Sequence, residues 1–173
     1  MDLSLPSNKH IVVTGPNGSG KSTLLGIIAG ALKPKTGKAT VMTNNIGYVG
    51  VSPYIIPGTL RDNLLYGNKL NKSENEIIDL VKEFKLFSSN DTSVLERTID
   101  RKSLSSGQLQ KVSFIRAMLA DSDLLLLDES TANLDDNSRE KIFSILKNKN
   151  LTIINCTHLS LIHISEPTRL SVI

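Results

Sequence analysis

At 173 residues, with 39% hydrophobic and 21% charged residues, the chain has the length and composition of one folded domain with a substantial core, which excludes a disordered or fibrous protein. No apolar run approaches the ~20 residues that cross a bilayer, and residues 1–10 lack the apolar centre of a signal peptide, so any membrane role is expected to come through a partner. The net charge of +3 is spread over surface-patterned helices, which argues against a nucleic-acid partner, and the single cysteine, Cys156, excludes an intrachain disulfide and fits a cytosolic location.

The first predicted element is a buried strand at residues 11–14. It runs directly into Gly15-Pro16-Asn17-Gly18-Ser19-Gly20-Lys21-Ser22-Thr23 and then into a helix over residues 21–32 with apolar Leu24, Leu25, Ile27, Ile28 and Leu32, ended by Lys33-Pro34. Strand, glycine-rich loop and helix in this order form a phosphate-binding P-loop. The glycines let successive backbone N–H groups curl around a β-phosphate, and the helix points its positive end at the same anion. Lys21 then reaches the β- and γ-phosphates, and the Ser22 hydroxyl is the expected ligand of Mg²⁺.

Short strands are predicted at residues 38–42 and 46–49, flanking the turn Thr43-Asn44-Asn45. After Pro53 the pattern becomes helical. Residues 59–66 and 73–86 read as helices, the second with Ser73 as N-cap, Glu76 at the capping-box position and Ile77, Ile78, Leu80, Val81 and Phe84 on one side. A polar loop at residues 88–93 follows. A helix over residues 109–120 then leads to a strand at 124–127, an amphipathic helix at 136–147 and a strand at 151–155, whose apolar run buries Cys156 as a small, unreactive side chain. Alternating strands and helices imply an α/β fold with a mostly parallel, helix-covered sheet and an active site at the strand C-terminal ends. Asp128 and Glu129 stand at one such end, where a structural acid is costly to bury. His10 and His163 have no such context, and His10 reads as a surface residue.

Three further segments narrow the reading. Leu104-Ser105-Ser106-Gly107-Gln108 precedes a helix, four leucines lead into Asp128-Glu129, and Ser130-Thr131-Ala132-Asn133-Leu134-Asp135 follows at once. In order and spacing these resemble the signature, Walker B strand and D-loop of the ATP-binding cassette (ABC) family, and the resemblance covers nearly all of residues 1–158. It implies a P-loop NTPase core with an α-helical ABC subdomain at about residues 58–121, binding ATP with Mg²⁺ and hydrolysing the ATP. It assigns Asp128 to hold Mg²⁺ through water, Glu129 to act as general base, and His158 to contact the γ-phosphate from the end of a strand. Leu104, Ser105, Ser106, Gly107 and Gln108 are expected to complete the ATP site of a second ABC domain in a head-to-tail dimer, with Ser130, Asn133, Leu134 and Asp135 along the interface.

The segment Pro57-Gly58-Thr59-Leu60-Arg61-Asp62-Asn63-Leu64 resembles the coupling side of exporter cassettes, and its short distance from the P-loop resembles the multidrug-resistance-associated subfamily. The implied setting is the cytoplasmic face of a membrane, beside the transmembrane domain of a transporter that exports an unknown substrate. One position departs from the family pattern: Val51 stands where glutamine is usual, two residues before Pro53, and valine can bind neither Mg²⁺ nor water. That substitution motivates an alternative, a degenerate regulatory half-site. A soluble ABC ATPase acting on DNA or ribosomes is a second alternative, disfavoured because no sustained heptads separate P-loop and signature.

Both ends of the chain are unusual. Residues 159–169 read as the in-frame translation of a transposase-type sequencing-library adaptor, so residues 159–173 are expected to be a non-native tail that docks poorly on the core. Only Met1 to Lys9 precede the P-loop strand and no aromatic residue occurs before Tyr48, so the adenine-stacking aromatic and two leading strands of the family are expected to be missing from an ABC domain truncated at both ends.

Overall fold

The computed structural model describes residues 3–68, 70–87, 92–157 and 168–171. Two compact units are formed: residues 1–50, 122–129 and 145–173 make one, and residues 51–121 and 130–144 the other.

The first unit is built on a parallel sheet. Strands β1 (His10–Thr14), β2 (Ile46–Val49), β5 (Leu124–Asp128), β6 (Thr152–Thr157) and β7 (Thr168–Ser171) lie in the order β2-β5-β6-β1-β7. All four neighbouring pairs are parallel. Every residue of β5 is buried, as expected of a strand with neighbours on both edges and cover on both faces. Because side chains alternate along a strand, the register puts Ile11 and Val13, Leu124 and Leu126, and Ile154 and Cys156 on one face. These close around Leu25 of α1 (Lys21–Ile28) in a single buried cluster.

Helix α1 is shorter than the predicted 21–32 because Gly30 takes the left-handed conformation, φ 73°, which the chain uses to leave the helix. The predicted strand at 38–42 does not form. Lys38, Ala39 and Thr40 are exposed and join no ladder, while Val41 packs against the core cluster from an irregular segment. Strand β6 runs two residues beyond the predicted 151–155, carrying Cys156 and Thr157 into register with Val13 and Thr14. His10 is not a surface residue: it is partly buried at the start of β1, with Nε2 sealed from solvent. Residues 168–171 stood outside the fold on the sequence reading but pair with Ile11 to Thr14, since an open sheet edge offers backbone groups that any extended segment can meet.

The second unit is mostly helical. It holds α2 (Leu60–Leu64), α3 (Glu74–Glu83), α4 (Ser106–Leu119), a 3₁₀ turn (Thr92–Glu96) and a small antiparallel pair, β3 (Gly58–Thr59) with β4 (Thr98–Ile99). Leu60, Leu64, Ile77, Phe84, Phe114 and Leu119 are among its fully or almost fully buried side chains. Helix α5 (Asp136–Lys147) begins in this unit and ends in the other.

Candidate functional site

The loop between β1 and α1 is held open by its backbone. Gly18 and Gly20 have φ of 81° and 89°, a region that side chains other than glycine rarely enter, and a Cβ at either position would meet nothing within 4 Å. The glycines are therefore needed for conformation rather than for space. Gly20 is the N-cap of α1, with no side-chain cap and no acidic residue in the first turn. Helices α2, α3 and α4 each begin with a reciprocal capping box, Thr59 with Asp62, Ser73 with Glu76 and Ser105 with Gln108. Only α1 of these four leaves its first N–H groups to an external acceptor, which suits an anion.

Lys21 is almost fully buried, and its ammonium donates to the carbonyl oxygens of Gly15 (2.9 Å) and Pro16 (3.0 Å). The same Nζ lies 4.0 Å from Oε1 of Glu129. Glu129 follows β5 in the left-handed region, φ 49°, a costly conformation for a residue with a side chain and one that marks functional positions. The Ser22 hydroxyl donates to Oδ1 of Asp128 at 3.0 Å, and the Tyr48 hydroxyl donates to Oδ2 of the same carboxylate at 2.8 Å. Burial, followed by the hydrogen bond to Asp128, raises the Tyr48 hydroxyl to about 12, so it remains a donor at neutral pH. Cys156 is fully buried beside this group, its thiol pointing at the Lys21 carbonyl oxygen, and burial followed by the Asp128 charge raises it to about 12. It is an inert packing residue, as its apolar run implied.

The donors gathered here are a serine hydroxyl and a buried carboxylate, hard oxygen ligands that suit Mg²⁺. Among the described residues no cluster of three or more His, Cys, Asp and Glu side chains could hold a metal by itself.

In the second unit Ser105 is spent on capping: its Oγ accepts from the Gln108 N–H (3.2 Å), and Gln108 Oε1 accepts from the Ser105 N–H (2.9 Å). Ser106 and Gly107 thus form the first turn of α4, three residues earlier than the predicted 109–120, and Leu104 is buried. A Cβ on Gly107 would lie 3.5 Å from the Asn133 carbonyl oxygen, so residues 104–108 and 130–135 are neighbours within this unit. Ser130 and Thr131 are almost fully buried, and Asp135 caps α5 by accepting from the Ser138 N–H at 2.8 Å, which lowers its pKa. Val51 is half exposed. His158 lies outside the described residues.

Gly15 to Thr23, Asp128 and Glu129 thus converge in one unit, and residues 104–108 and 130–135 are gathered in the other. Tyr48 was not singled out from the sequence. The only cue to it is strand alternation, which places it on the face of β2 that continues toward Asp128 once β2 and β5 are known to be neighbours.

Residues 1–132 match the family model described as ABC transporter. The chain is 33% identical over 174 residues to the lactococcin-A transport/processing ATP-binding protein LcnC of Lactococcus lactis subsp. lactis, covering 91% of this chain and 24% of that protein. It is 34% identical over 168 residues to ABC transporter C family member 9 of Arabidopsis thaliana, covering 91% of this chain and 11% of that protein. The chain therefore spans a quarter or less of the length of these curated relatives. Its fold matches that of a bacterial Atm1-family ABC exporter solved with ATP bound, with a TM-score of 0.78 at 22% identity over 88% of this chain and 30% of that one.

Proposed function

The chain belongs to the ABC transporter family, and from that premise we propose that it is the ATP-hydrolysing domain of an exporter, working through a transmembrane partner at the cytoplasmic face of a membrane. The observation that carries this reading is the convergence of Lys21, Ser22, Asp128 and Glu129, drawn from two segments, at the C-terminal ends of β1 and β5. In this reading the N–H groups of residues 15–23 wrap the β-phosphate, and Lys21 turns its ammonium from the loop carbonyls to the β- and γ-phosphate oxygens. Ser22 and Asp128, whose oxygens lie 3.0 Å apart, would hold Mg²⁺, Asp128 through water, and the ion would supply charge neutralisation to the phosphates. Glu129 orients the attacking water and takes its proton, and the nearby Lys21 ammonium offsets the charge that develops. His158 is assigned to the γ-phosphate by sequence position alone.

Residues 104–108 and 130–135 serve a second ABC domain in a head-to-tail dimer. The first turn of α4 presents Ser106 and Gly107 there, with the helix dipole behind them. Val51 supports a second reading, a regulatory half-site that binds ATP and leaves hydrolysis to its partner, because the position offers no polar atom to the γ-phosphate.

ATP binding and turnover of the full chain test both readings. Lys21→Ala is expected to abolish binding. Glu129→Gln is expected to keep binding, lower turnover by roughly 10²- to 10⁴-fold and accumulate an ATP-bound dimer. Retained affinity and turnover in Lys21→Ala would sink the P-loop assignment. Val51→Gln is expected to raise turnover if the valine is a lesion; an unchanged rate favours the half-site.

A further inference from the structure

Asp128 is the carboxylate on which the metal site turns, and both of its oxygens are already engaged by hydroxyls. Ser22 addresses Oδ1 and Tyr48 addresses Oδ2. The two hydroxyls are not equivalent. A Ser22 that ligates a metal through a lone pair has a second task beside its hydrogen bond to Oδ1, whereas the Tyr48 hydroxyl serves Oδ2 alone.

The register explains how Tyr48 reaches the acid. Tyr48 is opposite Leu126 in the parallel β2–β5 pair, and Asp128 stands two residues further on the same face, about 7 Å along the strand. A tyrosine leaning along its strand covers that gap where a shorter side chain would not. Gly50 leaves the ring room: a Cβ there would lie 3.0 Å from Tyr48 Cε1 and 3.7 Å from its hydroxyl oxygen, so a side chain at position 50 would require the ring to give by a few tenths of an ångström.

We propose that Tyr48 is a positioning residue for the metal site: its hydroxyl fixes the orientation of Asp128 and so sets the affinity for Mg²⁺ with nucleotide. This rests on the nucleotide-binding reading above. A carboxylate that ligates a metal directly or through water is held by outer hydrogen bonds, and losing one such bond typically costs ten- to a hundredfold in metal affinity.

The test is ATP binding to the full chain by calorimetry, titrated with Mg²⁺ and repeated in excess EDTA. Tyr48→Phe keeps the ring and loses only the hydroxyl. It is expected to raise the Mg²⁺ concentration at half-maximal binding about tenfold while leaving affinity in EDTA within twofold of wild type. Gly50→Ala, which crowds the ring without removing the hydroxyl, is expected to shift the Mg²⁺ dependence by less than Tyr48→Phe and to add nothing to it in the double variant, since both act on the same hydrogen bond. Mn²⁺ binding followed by electron paramagnetic resonance with nucleotide present should show the same loss in Tyr48→Phe. An unchanged Mg²⁺ dependence in Tyr48→Phe overturns the proposal, as does an equal loss of affinity with and without metal, which would mark the tyrosine as packing only. Failure of the wild-type chain to bind ATP under either condition would instead overturn the reading on which the proposal rests.

Discussion

His10 shows how one partly buried residue couples stability to pH. Burial at the start of β1 lowers its imidazole from 6.5 to about 4, because the cation would lose its hydration there. The unfolded chain takes up a proton near 6.5 while the folded chain resists until about 4, so the stabilisation is fully present above pH 6.5 and is lost as the pH falls between these values. Discounted for partial exposure, the loss is on the order of 1–2 kcal/mol. Denaturant midpoints of the wild type are expected to fall between pH 7 and pH 5, and those of His10→Gln to fall by clearly less. Parallel curves for the two proteins would show that other groups govern this window. The carboxylates Asp62, Glu76 and Asp135 have lowered pKa values through their capping hydrogen bonds and so act at more acidic pH. The histidine's burial was not legible in the sequence, since a lone polar residue ahead of an apolar run is equally at home on a strand end outside the core.

At the scale of elements, the capping boxes separate a purely structural serine from one with a second task. Ser73 and Ser105 make the same motif at the starts of α3 and α4. Replacing either by alanine is expected to cost about 1 kcal/mol of stability, measured by denaturant unfolding. Only Ser105→Ala is expected to lower ATP turnover as well, because the first turn of α4 is assigned to the nucleotide of a partner domain. Equal turnover in the two variants would reduce the 104–108 segment to a helix start. What the sequence made legible here follows a physical pattern. Elements with strong local codes were found nearly to the residue: 46–49 and 136–147 match β2 and α5, and the Ser73–Glu76 box starts α3 as read. The glycine-bearing loop between β1 and α1 was equally plain, because its positive-φ positions, Gly18 and Gly20, leave a rigid spacing. Pairings set by tertiary context were not. The 38–42 segment has strand-like residues and no partner strand, while β3 and β4 are two residues each and exist only because Gly58 meets Ile99. The reach of Tyr48 to Asp128 was hidden for the same reason, since it depends on which strand lies beside β2.

At the scale of the whole molecule, the C-terminal segment tests whether a tail that reads as foreign belongs to the fold. Residues 159–169 read as an adaptor translation, and yet Thr168 to Ser171 continue the parallel sheet beyond β1. The pairing uses main-chain groups, which carry no information about sequence, so the two observations are compatible. A parallel ladder of four residues at a sheet edge adds little by itself, as most of the stability lies in the apolar faces that Ile11, Val13, Leu126 and Ile154 close against α1. Deleting residues 159–173 is accordingly expected to leave ATP affinity within twofold and to lower the melting temperature by no more than about 4 °C, the shift expected from roughly 1 kcal/mol in a domain of this size. It also bares the outer edge of β1, whose unpaired N–H and C=O groups can recruit another chain. Light scattering should therefore show more self-association in the truncated protein than in the full chain, at equal concentration. A loss of ATP binding, or a far larger fall in melting temperature, would mean that the segment is part of the folded domain.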